Sequence, residues 1–194
     1  MTEAMADADE QPRPSRRSSV AQRSGSDEIQ ERYLRRAISE INELGDVFLL
    51  KYRPTQSEIA EGVAFFGRAG QALLKSLQRL SVDPLAIYGT NCLKFGTEEP
   101  EDARRWLTRE LHIVQPKLVV AMGSETVAFL DDLDFPLSDA VDVARPGEIQ
   151  PFTPTIDALV TPDIDASLDE QDAKTRFWNA FKALGAWWSE LPPY

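Results

Sequence analysis

The chain has 194 residues, 42% of them hydrophobic, and a formal net charge of −11. That apolar share supports a real core, the single cysteine excludes an internal disulfide and a multi-cysteine metal site, and no run approaches the roughly 18 consecutive apolar residues of a membrane span. The acid excess argues against a simple DNA binder, because a protein that tracks phosphates carries a basic face.

Residues 1–26 are rich in Ser, Arg, Pro, Asp and Glu. Burial cannot offset the entropy of ordering such a stretch, so it reads as a flexible tail. It lacks the apolar segment of a secretory signal, and a cytoplasmic protein with one domain over 27–194 is expected. Ser26, Asp27 and Glu28 start a helix whose apolar positions run from Ile29 to Ile41. Val47 to Leu50 is a buried strand, followed by a loop with Pro54. Phe66 to Leu80 repeats apolar residues at helical spacing, and Ala86 to Thr90 is a second strand. Pro100 to Val114 is a helix opened by a proline and acids, Lys117 to Met122 a third strand, and Ser124 to Leu130 a short helix. The four prolines within 131–155 read as loop with at most small strands. Ile156 to Val160 is a fourth strand and Asp172 to Trp188 a final helix, whose tryptophans 178, 187 and 188 read as core packing.

Strands that alternate with helices call for a parallel sheet covered on both faces. The expected fold is a three-layer α/β/α sandwich around a central, mostly parallel four-stranded sheet. Ligands bind such sheets beyond the carboxyl ends of the strands, which directs attention to the loops after Leu50, Thr90, Met122 and Val160.

Those loops carry the motifs. After the first strand comes Lys51-Tyr52-Arg53-Pro54-Thr55, and then Gly62-Val63-Ala64-Phe65-Phe66-Gly67-Arg68-Ala69-Gly70-Gln71. The second strand runs into Gly89-Thr90-Asn91-Cys92-Leu93-Lys94, and further on come Trp106 to Leu111 and Pro116 to Gly123. This order and spacing resembles the uracil-DNA glycosylase superfamily, most closely the iron–sulfur class often called family 4. The likeness runs from about Val47 to Gly123 and is looser from Ile156 to Trp188.

The resemblance implies roles. Phe65 takes the position of the aromatic that stacks the flipped uracil, and Asn91 that of the amide that reads its edge. Gly67 and Arg68 complete the substrate-binding segment. By their residue types alone, Phe65 also fits a core aromatic and Asn91 a cap. The catalytic positions depart from the family's pattern. Its first loop is Gly-Glu-Ala-Pro-Gly; here both glycines are gone and Tyr52 replaces the acid. A phenol is a poor base for orienting water at pH 7. The family's His-Pro-Ser becomes Thr161-Pro162-Asp163, which offers one hydroxyl and an opposing carboxylate where positive charge would steady the departing base. Loss of one such donor typically costs ~10²–10³ in rate. An iron–sulfur cluster needs four cysteines, and Phe95 stands at a cluster position, so no cluster or other cofactor is expected. His112, on the Pro100–Val114 helix, reads as a surface or packing residue.

The expected function is that of a divergent, catalytically impaired member with a pocket for a nucleobase or nucleic acid. The competing expectation is an active DNA glycosylase of base-excision repair that uses Tyr52, Asn91, Thr161 and Asp163, helped by Lys51, Arg53, Arg68 and Lys94 near the crevice. A third is a structural subunit without a pocket, in which Phe65 is buried away from the strand ends. Between Asp131 and Asp172 stand twelve acids and one base, Arg145, so this segment alone carries −11. It is a solvated surface, a means of keeping DNA away, or a face for a basic protein partner.

Overall fold

The computed structural model describes residues 45–192. The tail expected over 1–26 and the helix expected from Ser26 to Ile41 lie outside them. Five strands form one sheet: β1 (Val47–Lys51), β2 (Ile87–Asn91), β3 (Leu118–Met122), β4 (Ile149–Thr153) and β5 (Ile156–Thr161). Their order is β2-β1-β3-β5-β4, parallel except for β4, which runs antiparallel to β5. The helices are α1 (Gln56–Glu61), α2 (Arg68–Arg79), α3 (Pro100–Val114), α4 (Ser124–Asp131), α5 (Gln171–Phe181) and α6 (Ala183–Glu190).

The central strands β1 and β3 are buried along their whole length. Their continuous apolar runs alternate between two cores, because successive side chains point to opposite faces. Phe48, Leu50, Val119 and Ala121 pack with Leu107 and Leu111 of α3 and Phe129 and Leu130 of α4. Val47, Leu49, Leu118 and Val120 pack with Leu73 and Leu77 of α2, Phe177 and Phe181 of α5 and Leu184 of α6. The three expected layers are therefore present.

The sheet has one strand more than expected. β4 contains Pro151 and is only alternately buried, which hides it from a reading that takes proline as a breaker. As an edge strand it tolerates a residue without an N–H. The last helix is also divided, at Lys182, into α5 and α6. The loop after β1 holds a short helix, α1, opened by a capping box in which Thr55 and Glu58 satisfy each other's backbone N–H groups. Among the described residues no helix is long and apolar enough to cross a membrane.

Candidate functional site

The residues that close the four parallel strands form one row. Lys51 of β1 lies opposite Asn91 of β2 and Met122 of β3, and Met122 lies opposite Thr161 of β5. Paired positions on adjacent strands share a face, so these four side chains point into the layer of α2, α5 and α6. All four are buried. Polar groups in such a place need partners. Thr161 Oγ1 donates to the Pro162 carbonyl at 3.1 Å, whereas Asn91 Oδ1 has no hydrogen-bond partner.

Lys51 is the best-held member of the row. Its Nζ donates to Glu58 Oε2 at 2.7 Å and to Asp165 Oδ2 at 2.5 Å, and it lies over the Phe65 ring, 5.5 Å from the centroid. Glu58 is also buried; it accepts from the backbone N–H of Thr55 at 2.6 Å and from that of Phe65. One carboxylate thus ties together a strand end, a helix start and the loop that leads into α2.

That loop places Phe65 in the left-handed region at φ 59°, uncommon for a residue with a side chain. Its ring belongs to the second core and rests on Gly89, where an added Cβ would come within 2.9 Å of it. Its carbonyl sits against Gly70, where a Cβ would stand 2.1 Å away. Two glycines thus admit Phe65, which remains 8% exposed. Gly67 at φ 96° opens α2, and Arg68 points outward to pair with Asp169 at 2.7 Å.

A cavity of about 510 Å³ opens beyond the ends of β1, β3 and β5. Tyr52 and Arg53 form one wall, the start of α4 from Gly123 to Thr126 another, and Pro162, Asp163, Asp165 and Ala166 a third. Of the residues singled out from the sequence, Tyr52, Arg53 and Asp163 line it; Thr161, Phe65, Asn91, Gly67, Arg68, Lys51 and Lys94 do not. The rim is acidic. Burial, reinforced by the charge of Asp165, pushes the Asp163 carboxyl above its ordinary range, against opposing pulls from the Ala166 N–H and Lys51. Asp163 Oδ1 accepts from that N–H at 2.7 Å.

The bases expected to support a DNA-facing crevice are mostly committed elsewhere. Lys94 is buried and donates to Thr90 Oγ1 at 2.6 Å, the Asn91 carbonyl at 2.7 Å and Glu110 Oε2 at 2.7 Å. Arg53 is exposed and stacks over Tyr52 at 5.0 Å. His112 is exposed, hydrogen-bonded to the Thr108 carbonyl and packed on Phe135.

Glu58 and Asp165 were not singled out from the sequence. Glu58 had a signal, since a Thr followed by Glu three residues later marks a capping box. Asp165 had none: its role depends on a contact 114 positions away in the chain.

One carboxylate organises the backbone of the loop after β2. Glu98 accepts from the backbone N–H of Lys94, of Phe95 at 3.1 Å and of Thr97 at 3.0 Å. Cys92 is fully buried, and burial pushes its thiol well above the ordinary range. Among the described residues, no cluster of three or more His, Cys, Asp or Glu side chains could hold a metal ion.

Comparison with known proteins is consistent with this layout. A sequence model of the Uracil DNA glycosylase superfamily matches residues 38–184. The chain is also similar to a type-4 uracil-DNA glycosylase of Archaeoglobus fulgidus, with 29% identity over 105 residues. That alignment spans 48% of this chain and 53% of the relative, so the likeness covers about half of each.

Proposed function

The chain belongs to the uracil-DNA glycosylase superfamily, and we propose that it is a catalytically impaired member whose ligand is a nucleobase or a nucleic acid. One observation carries this reading: among the described residues, the lysine at the strand ends is neutralised by carboxylates, and the base lining the cavity, Arg53, is exposed and stacked on Tyr52. Departure of a base leaves negative charge that a glycosylase must steady. Here the ammonium of Lys51 is already shared between two carboxylates, and Asp163 and Asp165 add negative charge to the cavity wall. Tyr52 stands beside them beneath the Arg53 guanidinium, and Thr161 spends its hydroxyl on a neighbouring carbonyl.

We also take the chain to work without an iron–sulfur cluster. Four thiolates are the ligand set of such a cluster, and the chain has one cysteine, buried against its own core. The carboxylate of Glu98 fills the corresponding structural need by pinning the loop backbone. A basic protein partner for the acidic segment from Asp131 to Asp172 remains part of the same proposal.

Excision of uracil from labelled single- and double-stranded DNA, with protein in excess and alkaline strand cleavage as readout, tests the reading. The expected result is no cleavage over hours from folded protein. Cleavage that disappears in Asn91→Ala would overturn it and make Tyr52, Thr161 and Asp163 the next positions to substitute.

A further inference from the structure

We propose that Lys51 closes the base site of this chain, its ammonium occupying the space between Phe65 and Asn91 that a flat heterocycle would need. The inference rests on the nucleobase reading above and names the residue that decides access. Three observations meet at this point. Lys51 stands next to Asn91 in the strand-end row and on the same face of the sheet. Its Nζ lies over the Phe65 ring at 5.5 Å. A base sandwiched between that ring and the ammonium would need two van der Waals contacts, about 7–8 Å in all, so base and ammonium exclude one another. Asn91, finally, is 2% exposed and its Oδ1 has no partner. An amide fixed in that position has an acceptor free for a ligand N–H, and Lys51, which stands beside it, gives its bonds to Glu58 and Asp165 instead.

The closure is held from both sides of the site. Glu58, on α1, is buried and fixed by two backbone N–H groups. Asp165, on the loop after β5, keeps a third of its side chain in contact with solvent and also lines the open cavity. The volume open to solvent is therefore displaced from the Phe65–Asn91 side of Lys51 to the side walled by Tyr52 and the start of α4.

Binding of free uracil and of benzonitrile, a flat ring without the imide edge, by ligand-detected NMR tests the closure. The wild type is compared with Lys51→Ala, Lys51→Met and the double variant Lys51→Ala with Glu58→Gln, which removes the carboxylate left unpaired if the single variant does not fold. Opening the site is expected to tighten uracil binding by about tenfold or more, and Asn91→Ala in the same background is expected to abolish the gain. Lys51→Met, which fills the volume without charge, is expected to behave as the wild type. Folded open variants that bind neither probe overturn the closure, as does Lys51→Met opening the site as well as Lys51→Ala. A wild type that binds uracil as tightly as the open variants, through Asn91, overturns the closure and leaves the nucleobase reading standing. Open variants that bind benzonitrile but not uracil keep the closure and sink the nucleobase reading.

Discussion

Glu58 shows how much can depend on one buried carboxylate. It receives a lysine, a helix N-cap and the backbone of a residue at positive φ. Removing one partner of a buried ion pair strands the other charge, so Glu58→Ala is expected to lower stability by about 3–5 kcal/mol in chemical denaturation. Asp163 makes the opposite contribution. Its carboxyl is raised by burial, so the folded state holds its proton more tightly than the unfolded chain. The native protein is therefore penalised at this position as pH rises above the ordinary carboxylate value, and the penalty is complete once pH passes the raised folded value. Asp163→Asn keeps an oxygen that can accept from the Ala166 N–H and removes the charge. The variant is expected to gain stability over the wild type across that window and to keep the gain at neutral pH, as read by thermal denaturation at a series of pH values.

At the scale of elements, β2 and α3 are joined by a second buried pair. Lys94, just past the end of β2, reaches Glu110 on α3, and both are nearly inaccessible to solvent. Such a pair is costly to break and nearly neutral to replace as a whole. Glu110→Ala alone is expected to cost about 3–5 kcal/mol, while the double variant Lys94→Met with Glu110→Leu should recover most of it. Urea denaturation of the single and double variants measures both. The register of β2 on β1 has a separate origin, in apolar alternation and in the backbone bonds from Cys92 to Lys51 and from Leu93 to Tyr52 that prolong the ladder beyond the strands. This continuation holds Asn91 and Lys51 side by side.

Over the whole molecule, the acids between Asp131 and Asp172 are distributed among local duties. Asp132 pairs with Arg104, Glu148 with Arg145 and Asp169 with Arg68; Asp157 accepts from Trp187, and Asp163 and Asp165 face the cavity. Their summed field still repels a polyanion, and the bases near the crevice are paired or stacked. Any affinity for DNA should accordingly depend only weakly on salt, far short of the loss of about 10³–10⁵ between 50 and 200 mM that accompanies six to ten phosphate contacts. Fluorescence anisotropy of labelled single-stranded DNA across that range checks it; a steep slope would overturn the expectation.

The alternation of apolar strands and amphipathic helices was legible in the sequence because strand and helix periodicities are local. It yielded the layers, four of the five strands and the edge of the sheet where the candidate residues gather. The motif spacing was legible too, and with it the resemblance to the superfamily. β4 was not, because an edge strand with a proline has no apolar run to mark it. Nor was the disposition of charge at the site. Lys51 reads in the sequence as a base near a crevice, but pairing with a neighbouring helix and with a loop 114 positions onward turns it into a buried plug. Local pattern determined which elements form and where their ends gather; only the tertiary structure decided which of the gathered side chains face solvent and which neutralise one another, because burial and ion pairing are properties of contacts between distant parts of the chain.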